Sequence, residues 1–583
     1  MRVALRFLTG WGIAGTVLLG ATLPSAAYGK ALSVAIEEKL VPLDAQADGE
    51  VGWSVNLDAG TLAVGADEDS RAAAGGGAVF VYVPGAGVPT LQAALTASDA
   101  AAGDSLGISV DVDGDALLAG AYHRFAPTVA PGKAYVFRRT GSTWSEEAKL
   151  VAPDAQNNNA FGWAVTVKGD IAIVGAPNAW VGSPSGNGGA YVFERIAGVW
   201  TFDTKLTRAG EHSFGWSLDF DGTTLVVGAQ LTTGPNVAGR VFVYERDLSG
   251  TWTFKQQLAP ADLGSSAEFG NAVALGGNTL LVGAWFNTAG GAAGSAYFFE
   301  RSGDTWTQSA KFDSPGGAHA ENFGEAVAID GDRAIVTDSG LDTGVNADGG
   351  AAYVFERGTT GWKMKGAVMA SDGSSSDYFG TSVAIRGRRI AVGAAYAYDL
   401  VSDAATGAAY LLQLAAGSKL AIKNALPDNE SKNTIVAKLK GLSVDLPLPG
   451  SPGDPTCAGG LPSRLEIASS TSGAFLGQDL PCANWQQTPS GYRYRDPELD
   501  DGPCKEVYFR PDDVSTIRCS GAGPSVLAFD LEPGVVQAPI SVRLTLGSQS
   551  FCTTFGGTFK SDGTDGRKLN AVNAGAPEVC TGP

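Results

Sequence analysis

The 583-residue sequence predicts an all-β protein, a seven-bladed β-propeller followed by a disulfide-bonded β-sandwich-like domain. Three observations predict this: a unit of about 54 residues repeats seven times, Gly accounts for 80 residues, and all six Cys lie at or after Cys457. Glycine at about twice its usual ~7%, without a G-x-y period, excludes collagen and favours many tight turns between short strands.

The charge balance excludes one broad class of function. With 41 Lys and Arg against 60 Asp and Glu, the formal charge is −19, which argues against a nucleic-acid binder with a basic footprint. An apolar fraction of 44% is enough for a large core, so wholesale disorder is excluded. Three His leave little material for a His-based metal site or catalytic triad.

The first 29 residues have the layout of a secretory signal peptide. Arg2 and Arg6 precede an apolar stretch from Phe7 to Leu23, and Pro24 and small residues follow it. An uncleaved membrane anchor is the alternative, but the stretch is short and interrupted by four Gly. We therefore expect a secreted or periplasmic protein with no membrane span in the mature chain, in a compartment where Cys oxidises.

The repeat is defined by two short motifs at a fixed distance. An aromatic or aliphatic residue followed by Gly recurs every 53 to 56 residues, and a Gly-Ala pair begins fourteen residues after it, except for Thr337-Asp338 in the sixth copy. The first motif stands at Val51-Gly52, Leu106-Gly107, Phe161-Gly162, Phe214-Gly215, Phe269-Gly270, Phe323-Gly324 and Phe379-Gly380.

Each copy contains the pattern of four strands. In the third copy, period-2 alternation predicts a first strand over Phe161 to Val167, a tight turn at Gly169 and a second strand over Ile171 to Val174. A third strand over Gly189 to Arg195 and a fourth beginning near Trp200 complete the unit. Four antiparallel strands repeated seven times predict a seven-bladed propeller, with a stacked solenoid as the alternative.

The two ends of the repeat region complement each other. The seventh copy lacks a fourth strand, while Glu38 to Ala45 resembles Ala148 to Ala155, which ends the second copy. The sequence therefore predicts that the N-terminal segment supplies the outer strand of blade 7, in a propeller spanning residues 30–416. Such a pairing removes an open sheet edge.

These motifs resemble the FG-GAP repeats of integrin α-chain headpieces and of many exported bacterial proteins. The Phe-Gly steps, the Gly-Ala pairs and Gly175-Ala176-Pro177 carry the resemblance over roughly residues 32–416. It implies extracellular recognition or adhesion, with a protein or glycan as the expected partner.

Calcium loops of the integrin type are not expected in this chain. Those loops follow the pattern D-x-[DN]-x-D-G-x-x-D, and Ca²⁺ takes about six to eight oxygen ligands. The best match, Asp111 to Asp115, lacks the downstream acid, and Asp219 and Asp221 match less well. The sequence thus resembles a shorter, metal-free variant of the repeat, and we predict neither metal nor other cofactor.

Residues 417–583 lack the repeat. Alternation over Thr434 to Lys440, Glu506 to Arg510 and Ser541 to Leu546 predicts the β-sandwich-like domain. Cys504 and Cys519 are equidistant from Pro511-Asp512, so a hairpin centred there predicts a disulfide between them. The pairing of the remaining four stays open: Cys457, Cys482, Cys552 and Cys580.

Four acids precede the Phe-Gly positions and are predicted to ring the mouth of the central channel: Glu50, Asp104, Glu268 and Asp377. Two carboxylates about 5–10 Å apart serve glycosidases as acid and base. A carbohydrate-active propeller, either a lectin or a glycosidase or lyase, is therefore the alternative function. The more ordinary interpretation is a solvated acidic rim.

The predicted function is that of an exported, non-catalytic binding or adhesion protein. Loops before the first strand and between the second and third strands emerge on one face, where recognition normally resides. The candidate binding residues in these loops are Tyr122, His123, Arg124, Phe125, Trp180, Trp285, Phe286, Tyr396, Tyr398 and Asp399.

Overall fold

A computed structural model describes most of residues 34–414 and a set of strands after them. The described ranges are 34–58, 60–84, 89–123, 131–154, 159–177, 188–208, 211, 213–231, 238–291, 293–315, 322–343, 346–399 and 404–414, followed by the strands β31 to β42 bounded below. Side chains are described from 37 to 414. The predicted signal peptide, Arg124, Phe125 and Trp180 lie outside these residues.

The described residues begin with β1 (Val34–Leu40) and continue through six complete antiparallel sheets of four strands. Blade 1 comprises β2 (Val51–Asp58), β3 (Thr61–Ala66), β4 (Ala78–Val83) and β5 (Thr90–Leu95). Blade 2 comprises β6 (Leu106–Asp113), β7 (Ala116–Ala121), β8 (Lys133–Thr140) and β9 (Thr143–Leu150). Blade 3 comprises β10 (Val165–Lys168), β11 (Ile171–Ala176), β12 (Gly189–Ile196) and β13 (Val199–Leu206).

Blades 4 to 6 repeat the arrangement. Blade 4 comprises β14 (Ser217–Phe220), β15 (Thr224–Ala229), β16 (Arg240–Arg246) and β17 (Trp252–Leu258). Blade 5 comprises β18 (Val273–Gly276), β19 (Thr279–Ala284), β20 (Ser295–Ser302) and β21 (Thr305–Asp313), with a 3-10 turn at Ala289–Gly291. Blade 6 comprises β22 (Val327–Asp330), β23 (Arg333–Asp338), β24 (Ala351–Gly358) and β25 (Gly361–Val368).

The seventh blade is assembled from both ends of the repeat region. It contains β26 (Val383–Arg386), β27 (Arg389–Ala394), the short pair β28 (Tyr398–Asp399) and β29 (Ala404–Ala405), and β30 (Ala408–Leu414). β1 pairs antiparallel with β30 as the outermost strand, with Leu40 opposite Ala409. The N-terminal segment thus fills the place expected of it, over Val34–Leu40.

Side-chain contacts around β1 match those of an ordinary blade. The Lys39 ammonium and the Tyr410 hydroxyl both bind the Asp372 carboxylate, each at 2.9 Å. In blade 2 the equivalent carboxylate is Asp99, which binds the Tyr135 hydroxyl at 2.6 Å and the Lys149 ammonium at 3.2 Å. β1 therefore makes the same side-chain contacts as the fourth strand of a blade whose four strands follow one another in the chain.

The core lies between consecutive blades. The innermost strands contact one another in an unbroken cycle from blade 1 to blade 7 and back. Every residue of β3, β7, β11, β15 and β19 is buried, because these second strands are covered by a blade on each side. Phe161, for example, is fully buried among apolar residues of blades 2 and 3.

The paired glycine motifs form the joint between blades. A Cβ on Gly175 would overlap the carbonyl oxygen of Gly215 in the next blade, and the equivalent Gly meets the same carbonyl at five other joints. At the joint between blades 6 and 7, Thr337 replaces this Gly. The φ of Gly380 there is 119°, whereas φ is 91° to 97° at the other six glycines of the first motif. The close approach of the backbones of two consecutive blades therefore explains why the Gly of the Gly-Ala pair recurs.

One predicted strand boundary is wrong. The alternation predicted a first strand of blade 3 from Phe161, but β10 begins at Val165. Residues 161–164 form a turn, with Gly162 in the left-handed region at φ 95°, so period-2 alternation does not apply there.

After the propeller, twelve strands form two antiparallel sheets. They are β31 (Lys419–Asn424), β32 (Thr434–Lys440), β33 (Ser463–Ser469), β34 (Phe475–Leu480), β35 (Trp485–Thr488), β36 (Gly491–Arg495), β37 (Cys504–Phe509), β38 (Val514–Ser520), β39 (Gln537–Leu546), β40 (Gln549–Gly557), β41 (Phe559–Ser561) and β42 (Arg567–Val572). The sheet orders are β35-β36-β37-β38-β32-β31-β42-β41 and β34-β33-β39-β40.

The hairpin of β37 and β38 places Cys504 opposite Cys519. A register shift between Cys504 and Glu506 precedes a regular ladder in which Glu506 faces Arg518. The disulfide itself and the packing of the two sheets as a sandwich stay predictions. Within the described part of the chain, no helix has the length and apolar character needed to cross a membrane.

Candidate functional site

Two sets of loops meet on one face of the propeller. One set precedes the first strand of each blade, and the other connects the second and third strands. Glu268, from the first set in blade 5, accepts a hydrogen bond of 2.7 Å from the indole nitrogen of Trp285 in the second set. Asp104 and His123 make the equivalent contact in blade 2, with Nδ1 3.1 Å from Oδ1. We call this surface the loop face.

The chain enters each first strand through the same turn. In all seven blades, the amide of the residue after the Phe-Gly step donates to the carbonyl of the residue before it, over 2.9 to 3.3 Å. In blade 3, Trp163 donates to Ala160, and both Ala160 and Gly162 have positive φ, of 53° and 95°. A left-handed non-glycine residue is uncommon, so this repeated geometry is a fixed feature of the fold.

The turn places seven equivalent residues around the propeller axis, where the innermost strands begin. We call them the inner ring, and they are Trp53, Ile108, Trp163, Trp216, Asn271, Glu325 and Thr381. Two pairs of neighbouring members are in contact: Trp163 packs against Trp216, and the side-chain amide of Asn271 donates to the backbone carbonyl of Glu325 at 2.8 Å.

Aromatic side chains form a continuous row along part of the inner ring. The ring centroids of Trp163 and Trp216 are 4.5 Å apart at an interplanar angle of 45°, and Tyr122 meets Trp163 edge-on at 5.0 Å. All three side chains are half-buried, so each keeps some surface in contact with solvent.

The inner ring is polar in blades 5 to 7. The Ser339 hydroxyl, which follows the Thr337-Asp338 replacement, donates to the carboxyl of Glu325. Desolvation, together with the charge of nearby Asp338, raises the pKa of Glu325 to about 8. The carboxyl of Glu325 is therefore largely protonated at neutral pH and is able to donate as well as accept a hydrogen bond.

Further aromatic residues stand farther out on the loop face. Phe286 is 49% exposed and packs edge-on against Trp285 with centroids 4.8 Å apart. In blade 7, Tyr396 and Tyr398 are 40% and 39% exposed, and Tyr396 packs against Tyr378 at 5.5 Å. The structure places these predicted binding residues on the same face, next to the inner ring.

The expectation of a solvated acidic rim is wrong for two of its four members. Asp104 and Asp377 are only 3% and 2% exposed. The Asp377 carboxylate accepts the Ser374 amide at 2.7 Å and the Tyr398 amide at 3.3 Å, so it ties the two loops of its blade together. Asp104 does the same for blade 2 and also pairs with Lys133 at 3.1 Å.

The other two members differ from this pair. Glu50 is half-buried and occupies the left-handed position of its turn, at φ 54°. Desolvation raises the pKa of Glu268, although its hydrogen bond from Trp285 acts in the opposite direction. Glu268 therefore binds the aromatic side chain of a predicted binding residue, Trp285.

Carboxylates on the innermost strands link consecutive blades. Asp111 accepts the amide of Val167 at 2.7 Å, and Asp219 accepts that of Leu275 at 2.6 Å, each from the next blade. Desolvation raises the pKa of Asp111 to about 6, and desolvation with the charge of Asp111 raises that of Asp219 to about 7. Within the described residues, no three or more His, Cys, Asp or Glu are grouped to hold a metal ion.

Sequence reasoning missed the inner ring. It placed Trp163 on one face of a predicted strand, together with Phe161, and did not consider Trp216, whereas the turn places both Trp side chains on the loop face. The sequence does offer a signal for these residues, because each one stands directly after a Phe-Gly step.

Asp399, which was also predicted as a binding residue, lies in β28 opposite Ala404.

Comparisons with known proteins identify the repeat. The family model of the FG-GAP repeat matches six segments that together cover just over half of the chain: 35–82, 89–137, 144–193, 252–299, 306–355 and 362–412. The segment between 193 and 252 is not matched, although β14 to β17 complete a regular blade there. No curated protein matches the chain.

Among solved structures, the chain is similar to a crystal structure of a protein from Lactobacillus plantarum solved by the Northeast Structural Genomics Consortium. The identity is 13%, the TM-score is 0.38, and the match covers 61% of this chain and 94% of the other.

Proposed function

Because the chain belongs to the FG-GAP repeat family, a β-propeller fold often used as a binding scaffold, we propose that it is an exported, non-catalytic binding or adhesion protein. Its loop face recognises an extracellular protein or glycan. The observation that carries this proposal is the presence of the exposed side chains of Phe286, Tyr396 and Tyr398 on that face. Aromatic residues are enriched among those that dominate binding energy.

In blades 5 and 7, hydrogen bonds between described residues of this face hold neighbouring loops together without any ligand. Asp377 ties the backbone at Ser374 and Tyr398, and Glu268 holds the Trp285 ring through its indole nitrogen. A preorganised surface loses less conformational freedom on binding, which favours affinity. This rigidity supports a role in recognition.

A carbohydrate-active protein stays the second candidate, and the structure favours a lectin over a hydrolase. Asp104 and Asp377 both serve as buried ties between loops, so neither of these two carboxylates suits the role of a glycosidase acid or base. The Glu268–Trp285 contact, by contrast, joins an aromatic ring to a carboxyl, and both groups suit a sugar.

The test is a screen of the purified mature protein against arrays of extracellular matrix proteins and of glycans. A triple variant, Phe286→Ala with Tyr396→Ala and Tyr398→Ala, should bind its ligand at least tenfold more weakly. The matched control is Val199→Ala with Leu248→Ala, which truncates exposed apolar side chains in hairpins of the opposite face.

Two results would contradict the proposal. One is an equal loss of binding in the triple variant and in the opposite-face control. The other is turnover of a bound polysaccharide, measured as release of new reducing ends.

A further inference from the structure

We propose that the inner ring is a subsite for a neutral sugar residue, which lies against Trp163 and Trp216 and directs its hydroxyl groups toward Glu325 and Thr381. This inference rests on the proposed function and deepens it, because it names the ligand class and the point of contact.

The first step is the order of residues around the ring. Closure of the propeller gives all seven residues equivalent places around the axis, since each follows the same turn at the start of an innermost strand. Blades 1 to 4 contribute Trp53, Ile108, Trp163 and Trp216, and blades 5 to 7 contribute Asn271, Glu325 and Thr381. The ring is therefore apolar along one arc and polar along the other.

The second step is the shape of the apolar arc. Trp163 and Trp216 are tilted by 45° with their centroids 4.5 Å apart, so together they form a shallow aromatic wedge, and Tyr122 extends it edge-on. The faces of aromatic rings carry partial negative charge and attract the weakly positive C–H groups of a flat ligand. A pyranose presents such C–H groups on its ring face and carries hydroxyl groups at its edge.

The third step is the chemistry of the polar arc. The Thr381 hydroxyl donates to the Tyr378 carbonyl at 2.8 Å, which leaves its oxygen able to accept from a ligand. The carboxyl of Glu325, largely protonated as described above, offers both a donor and an acceptor. Neighbouring donors and acceptors are what the hydroxyl groups of a sugar require.

Charge narrows the ligand class further. The chain carries a formal charge of −19, and Glu50 and Glu268 both belong to the loop face. Anionic ligands such as sulfated glycans are repelled by such a surface, which favours neutral hexoses and N-acetylhexosamines. A peptide is the competing occupant and becomes an outcome of the test.

The experiment uses the purified full-length mature protein and a panel of neutral oligosaccharides of glucose, galactose, mannose and N-acetylglucosamine, with sulfated glycans and the matrix-protein array beside it. The strongest neutral ligand is titrated by calorimetry against the wild type and against Trp163→Ala with Trp216→Ala. The expected result is a loss of affinity of tenfold or more, with an unchanged melting temperature and far-UV spectrum for the variant.

A conservative pair keeps the test valid if the alanine variant does not fold. Trp163→Phe with Trp216→Phe retains ring packing but offers less stacking surface, so we expect a loss of about three- to tenfold. Phe202→Ala with Phe254→Ala serves as the matched aromatic control, because these two rings are each 40% exposed and lie on the outermost strands β13 and β17, away from the loop face.

The outcomes separate this inference from the proposed function. Binding of a neutral sugar with the same affinity in the wild type and the Phe pair overturns the inference and leaves the proposed function intact. Binding of only matrix proteins, or only sulfated glycans, has the same consequence. Absence of every ligand from both arrays contradicts the proposed function as well.

Discussion

The Ser382 hydroxyl donates a hydrogen bond of 2.8 Å to the carbonyl of Gly52, 330 residues earlier in the chain. This contact joins blade 7 to blade 1. The same contact joins Ser54 to Gly107, Ser109 to Gly162 and Ser217 to Gly270, over 2.6 to 3.0 Å. The joint that closes the ring is thus chemically the same as the joints between blades that follow one another in the chain.

The first prediction concerns this closing joint. Gly393→Ala would place a Cβ on the carbonyl oxygen of Gly52, where neither backbone is free to move away. Overpacking of a tight interior typically costs about 1–3 kcal/mol and occasionally more, so we expect a clear fall in the melting temperature. Gly358→Ala is the control, because a Cβ there meets nothing within 4 Å. Equal melting temperatures of the two variants would refute the account of the joint.

The second prediction concerns the strand that completes blade 7. A chain that starts at residue 41 lacks β1 and exposes the backbone edge of β30, including its partner positions at Ala409 and Leu412. Exposed edges pair with other chains, so we expect aggregation and a lower melting temperature than for a chain that starts at residue 34. Size-exclusion chromatography with light scattering measures the difference. A monomeric truncated chain of unchanged stability would show that β1 is dispensable.

The third prediction concerns pH. Because the pKa of Asp219 is raised to about 7, the folded protein retains a proton that the unfolded chain loses near pH 4. The contribution of this group to stability is therefore greatest at low pH and falls as the pH rises through 7. Asp219→Asn keeps an oxygen for the Leu275 amide and removes the charge.

The difference in unfolding free energy, variant minus wild type, should thus increase by at least about 1 kcal/mol between pH 5 and pH 8. Chemical denaturation at a series of pH values measures it. Asp304→Asn, at an exposed turn, controls for the change in net charge. A difference that is constant with pH, or that falls, would be incompatible with a desolvated Asp219.

The fourth prediction concerns the C-terminal region. Cys504 lies opposite Cys519 in the β37–β38 hairpin, and opposed residues of neighbouring strands are close enough for a disulfide. Mass spectrometry of the exported protein, digested without reduction, should yield a peptide pair that contains these two Cys. A bond from either one to any of the other four Cys would disprove the assignment.

Much of the fold followed from the sequence because its determinants are local and repeated. The Phe-Gly step and the Gly-Ala pair recur at one spacing, since six of the seven joints bring two backbones so close together that only Gly fits, as Gly175 and Gly215 show. The same period showed that Glu38 to Ala45 matches the end of a copy, which predicted an N-terminal fourth strand for blade 7; the structure places that strand at Val34–Leu40. The loop face could be predicted for the same reason, because antiparallel strands fix which loops share an end.

Local sequence patterns did not predict where the individual side chains of the site lie. Asp104 and Asp377 look like surface acids in the sequence, yet each is buried by hydrogen bonds to a loop about twenty residues away. Trp163 fits the alternation of a buried strand, and only the turn with positive φ at Gly162 places it on the loop face.

The sequence by itself therefore determined the repeat, the blade count and the strand that closes the ring, because these depend on short motifs and their spacing. Only the tertiary structure decided which residues stand side by side at the centre of the loop face. Trp163 and Trp216 are 53 residues apart in the chain and 4.5 Å apart as rings. Closure of the propeller brings residues that are one repeat apart in the chain into contact. The short sequence motifs do not show which side chains meet there.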